Sequence, residues 1–181
     1  MSSYPGVYVE EFDHGHPPIA GMTTSTTALV GIAPLGPVDE PVSVTSFAAF
    51  EQQFGGLRLE SSLGFAVRDF FLNGGNQAII LRVLQARPDL VGDANFIGPG
   101  KEAASQGLYA LKKAEFNLLC IPPYKQNDVD TTVIAAAAKL CEDRRAFLLI
   151  DSPSSWSSKD LAKRESRSEQ CLHGLRHLDF C

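Results

Sequence analysis

Three short runs in this chain are apolar along almost their whole length: AIILRVL at 78–84, NLLCI at 117–121 and AFLLID at 146–151. A strand with one wet face alternates polar and apolar residues. A strand without that alternation needs cover on both sides, which parallel strands in α/β proteins receive from crossover helices. The segments between these runs have the length and period of such helices. Ser46 is placed to cap SFAAFEQQF, whose Phe47, Phe50 and Phe54 share a helical face before Gly55-Gly56 stop it. Ser61 or Ser62 opens SLGFAVRDFFLNGG, with Leu63, Ala66, Val67, Phe70 and Phe71 at helical spacing and Gly74 as the stop. Further helices are expected over KEAASQGLYALKKA (101–114) and, from Asp130 or Thr131, over TTVIAAAAKLCEDR.

The β-branched stretch TTSTTALVGIA (23–33) reads as another strand, and PLGPVDEPVSVTS after it as turns punctuated by Pro34, Gly36, Pro37 and Pro41. AFLLID is expected to be a third buried strand. The fold class is therefore α/β, with helices layered on a largely parallel or mixed sheet and an extended N-terminal β arm.

The arm is the odd part. In SYPGVYVEEF, Val7 and Val9 alternate with Tyr8, Glu10 and Phe12, a period-2 strand pattern. No hairpin turn follows. Gly15, Pro17 and Pro18 make a stiff, extended spacer, so the strand has no local partner. Three segments result: 1–22, the arm and Pro-rich linker; 23–158, the core, read as partial; and 159–181, a divergent tail with little regular structure.

The 181 residues carry 44% hydrophobic and 20% charged residues, which suits a globular chain with a core. A net charge of −5, with ten acids against four bases in the first 100 residues, argues against general nucleic-acid binding. MSSYPGV has neither a basic nor an apolar stretch, so no signal peptide is expected, and no apolar run is long enough to insert in a membrane. The four cysteines lack CxxC spacing and are read as free thiols.

Candidate chemistry is thin. Cys171, His173, His177 and Cys181 are zinc-ligand types, yet Cys171 and Cys181 lie about three helical turns apart, so the tail is read as metal-free. GPGKE at 98–102 partly resembles a phosphate loop, and FLLID offers Asp151 at a strand end. Asn95 stands where that loop needs its first glycine, and Glu102 where it needs a hydroxyl. An α/β nucleotide-binding enzyme using Lys101 and Asp151 is the minor alternative. DSPSSW lacks a G-x-S-x-G elbow, and His14 and His16 read as solvated linker residues. No catalytic residue, metal or cofactor is expected.

Read in order, YPGVYVEE, then PPIAGMTTSTTALVGIAPLGPVDEPVSVTSFAAFEQQFGG, then LGFAVRDFFLNGGNQAIILRV resemble the N-terminal region of contractile tail sheath proteins. QGLYALKKAEFNLLCIPP and CEDRRAFLLIDSPSSW are similar to the next part of that family, so the likeness runs from residue 4 to about 158. It implies a structural role: subunits stacked as a helical array around an inner tube protein, driven to contract from baseplate components. It implies no nucleic acid and no membrane insertion. Synthesis would be in the bacterial cytoplasm, with assembly into a phage tail or tail-like particle. Tyr4, Val7, Tyr8, Val9, Glu10 and Phe12 would form the inter-subunit arm, pairing by strand exchange, with Gly15, Pro17 and Pro18 as its linker. The likeness fades after Trp156. The expectation is a shortened member lacking the region that receives arms, either a truncated or frameshifted remnant that does not assemble or a short paralogue.

Overall fold

The computed structural model describes residues 26–83, 92–124 and 128–163. Its centre is a five-stranded sheet of β1 (Thr27–Gly31), β2 (Pro41–Val44), β3 (Ala78–Arg82), β4 (Leu118–Cys120) and β5 (Phe147–Leu149), in the order β2-β3-β1-β4-β5. β1 pairs in parallel with β3 and β4, and β4 with β5, whereas β2 runs antiparallel to β3. The fold is α/β with a mixed, mostly parallel sheet.

The apolar strands are double-faced, as their composition requires. Ala28, Val30, Ile79, Leu81 and Leu119 face one core. There they meet α5 (Thr131–Arg144), Phe96 of α3 (Asp93–Ile97), and Leu108 and Leu111 of a 3-10 helix (Gly107–Lys113). Leu29, Ala78 and Ile80 face the other core, against α1 (Phe47–Phe54) and α2 (Ser62–Leu72). Phe50 and Phe54 are fully buried there and stack at 5.4 Å, each contributing about 2–3 kcal/mol by leaving water. Three layers result, helices on both faces of one sheet.

Local capping chemistry sets several boundaries. The Ser46 hydroxyl accepts the Ala49 amide at 3.2 Å, and Gly55 ends α1 at φ 89° with its N–H on the Glu51 carbonyl. Asp130 caps α5 by accepting the Thr132 amide at 2.9 Å.

Three expectations need correction. The stretch read as turns contains β2, which opens on Pro41. Proline is tolerated as the first residue of an edge strand, and antiparallel pairing to β3 supplies the rest. The single helix expected over 101–114 is broken into α4 (Lys101–Ala104) and the 3-10 helix. Gly107 makes the break at φ 57°, held so close to the Phe96 carbonyl that a Cβ has no room. Finally, AFLLID is not buried. β5 is an edge strand, with Phe147 68% and Leu149 51% exposed. A further element, α3, lies between β3 and α4, where no helix was expected.

Candidate functional site

In open α/β sheets, ligands favour the crevice where neighbouring strands send their connections to opposite faces. β1 and β4 meet that description. The chain leaves β1 through α1 and α2 on one face, and leaves β4 through α5 on the other. The start of α2 fills the crevice between their carboxyl ends. Ser61, which makes no cap bond to its own helix, donates its hydroxyl to the Ile32 carbonyl at 2.5 Å. Ser62 donates to the Pro123 carbonyl. Gly31 lets α2 approach, since a Cβ there would stand 3.1 Å from that of Leu63. The crevice is occupied by the protein's own backbone and two serines.

The structure keeps apart the two residues of the nucleotide reading. Lys101 Nζ lies 3.4 Å from Asp39 Oδ2, and Asp39 Oδ1 accepts the Gly107 amide at 2.8 Å. Asp39 is tied in turn to β3, its own amide donating to the Arg82 carbonyl at 2.8 Å. Asp151 follows β5, about 14 Å from β3 at three strand spacings. Glu102 is taken up by Lys112, whose ammonium donates to it at 3.0 Å and lowers its pKa. α4, four residues long, is too short to present a phosphate site. Lys101 is a strut between loops.

The serines after Asp151 are also accounted for structurally. Ser154 donates both its amide and its hydroxyl to Asp128, each at 2.6 Å, and these bonds lower the Asp128 pKa. Cys120 and Cys141 are free thiols, both pushed up to about 11 by burial. They pack on opposite faces of the sheet. Among the described residues no group of three metal-ligating side chains forms. A shallow cleft beside α5, lined by Ile121, Val129, Ile134, Ala137, Leu148 and Asp151, holds about 10 Å³, room for a single water. No helix of the described residues is long and apolar enough to cross a membrane.

The exposed apolar residues sit on edges and loops. Phe147, Leu149 and Ile150 line the β5 edge. Leu35, Leu57 and Leu59 are exposed on the loops after β1 and α1, and Leu72 ends α2. Sequence reasoning missed the β5 edge, because an apolar run of that length reads the same in a central strand as at an edge. The arm residues Tyr4, Val7, Tyr8, Val9, Glu10 and Phe12, the linker residues Gly15, Pro17 and Pro18, and the tail residues Cys171, His173, His177 and Cys181 lie outside the described residues.

The molecule is thus a three-layer α/β domain with a plugged crevice and apolar groups at its periphery. Among solved structures it is similar to the contracted helical sheath of the anti-feeding prophage, at 19% identity and a TM-score of 0.47 over 87% of this chain. The chain spans 43% of that protein's length. No family model and no curated protein matches it.

Proposed function

We propose that this chain is a structural subunit of a contractile tail sheath. It would surround an inner tube, answer to a baseplate, and be linked to its neighbours by strand exchange through residues 4–12. The sequence blocks resembling sheath proteins, in family order from residue 4 to about 158, motivate the reading. The observation that carries it within the fold is where the apolar surface lies. Phe147 and Leu149 project from a sheet edge that is open among the described residues, while the crevice in which such folds hold ligands is closed by Ser61 and Ser62. A surface of that kind suits attachment to other chains, and head-to-tail attachment that does not close produces a helical array.

Co-expression with a full-length sheath and its tube, followed by electron microscopy and mass spectrometry of purified particles, tests the proposal. The chain is expected in the sheath layer. Val7→Pro or Val9→Pro, each removing a ladder donor, is expected to prevent its incorporation. Particles that assemble without the wild-type chain would identify it as a non-assembling remnant.

A further inference from the structure

We infer that β5 is a self-pairing edge: two copies of this chain join antiparallel along it, Leu148 opposite Leu148, and form one continuous sheet across a two-fold axis. A closed pair neither needs nor produces a helical array, so this contact stands independently of the sheath reading.

The main chain offers the pairing groups. Phe147 donates its amide to the Asn117 carbonyl at 2.8 Å, and in the parallel register with β4 the main-chain groups of Phe147 and Leu149 point inward. Those of Leu148 point outward, and among the described residues no strand lies beyond β5. Two such edges placed antiparallel about Leu148 exchange a pair of N–H···O bonds there. The ladder is short, because the Ala146 amide is already donated to the Cys141 carbonyl at 2.9 Å, and a seam of this size makes a weak pair.

Side chains select the same register. Facing residues lie equally far from Leu148 on its two sides. Phe147, 68% exposed, therefore stands beside the second copy's Leu149, 51% exposed, and the symmetry repeats the contact. All four side chains fall on the sheet face that α1 and α2 leave uncovered at β5. The seam thus joins two exposed apolar patches into one shared cluster. Leu148 turns to the other face, where it packs against the core beneath α5.

Charge commits the edge to a second copy. Arg145, three residues before Leu148, is exposed in the left-handed turn that ends α5, and Asp151, three residues after it, is exposed as well. Neither makes an ion pair among the described residues, whereas the adjacent Arg144 is taken by Glu115 at 2.8 Å. Antiparallel pairing about Leu148 brings each Arg145 to the Asp151 of the other copy. A slip of two residues in either direction parts both pairs, in one case setting Asp151 against Phe147. The edge carries its own complement.

Sedimentation velocity of the full chain from about 1 to 500 µM tests this, with thermal melts to show that the variants fold as the wild type does. The average mass is expected to climb from 19.6 kDa towards twice that value. Arg145→Asp and Asp151→Arg, which set like charges against each other, are each expected to weaken dimerisation at least about fivefold. An equimolar mixture of these two variants is expected to recover it, because each copy then carries the charge the other needs. Phe147→Lys, which puts a charge on the apolar face of the edge, is expected to abolish it. A mass that stays at 19.6 kDa across the range overturns the inference, as does a mixture no better than its components. A monomer whose Leu148 amide is still protected from hydrogen exchange overturns it too, and gives the edge to another part of the same chain. Particle incorporation is not read in this experiment, so either reading can fail while the other stands.

Discussion

The Ser61 hydroxyl donates to the Ile32 carbonyl at 2.5 Å, across 29 positions of sequence, and in doing so pins the start of α2 to the end of β1. Ser61 is buried, so the carbonyl has no alternative in water. Ser61→Ala should therefore cost about 1–3 kcal/mol, the desolvation penalty of an orphaned acceptor, more than an exposed serine would. Urea denaturation of wild type and variant measures it. An effect below about 0.5 kcal/mol would mean that the crevice rearranges to satisfy Ile32 by other means.

Arg82 plays a comparable part from β3. It is 4% exposed, and its guanidinium donates to the carbonyls of Pro34, at 3.1 Å, and Gly36. Arg82→Met keeps the aliphatic stem and removes the donors. The expected loss is about 2–3 kcal/mol, measured by thermal unfolding, with added mobility in residues 34–39. Lys in place of Arg should recover only part of it, because one ammonium cannot reproduce the fork.

Two glycines with positive φ should behave differently. Gly107 sits at φ 57° against the Phe96 carbonyl, so Gly107→Ala adds a clash to the strain and should cost at least about 2 kcal/mol. Gly74 sits at φ 91° with open space around it, so Gly74→Ala should cost only about 1 kcal/mol. Equal destabilisation in parallel melts would show that backbone strain, not the carbonyl, governs position 107.

The buried thiols make stability fall at alkaline pH. Burial raises Cys120 and Cys141 from 9.0 to about 11, so their charged forms are disfavoured in the folded state. Below pH 9 both states hold the proton and the contribution is fully present. As pH rises from there towards 11 the unfolded chain ionises first, and stability is lost. Denaturation midpoints between pH 8 and pH 11 should fall less in a Cys120→Ala/Cys141→Ala variant than in the wild type. Native thiols should also react with iodoacetamide far more slowly than unfolded ones.

Much of the fold was legible in sequence because the signals act locally. Ser46 and Gly55 bracket α1 and Asp130 opens α5, each through bonds made within a turn of its own position. β3 and β4 were readable because strands covered on both faces have no polar alternation to lose, and β1 because its stretch is rich in β-branched residues. β2 was not, since four residues beginning with Pro41 become a strand only when β3 lies alongside. Nor was the break at Gly107, which depends on a carbonyl eleven residues away. Of the candidate chemistry, Lys101 and Asp151 were found as residues, but their separation became visible only in the sheet order.

The sequence alone determined that the chain would layer helices over a mostly parallel sheet, because apolar strands without a wet face allow little else. Only the tertiary structure decided that the last of those strands would lie at an open edge. Burial of Phe147 and Leu149 depends on which element arrives to cover them, and among the described residues none does. The same holds for Ser61, an apparent helix cap by its position that spends its hydroxyl on a distant strand instead. Local periodicity specifies faces, whereas edges and crevices are set by long-range packing.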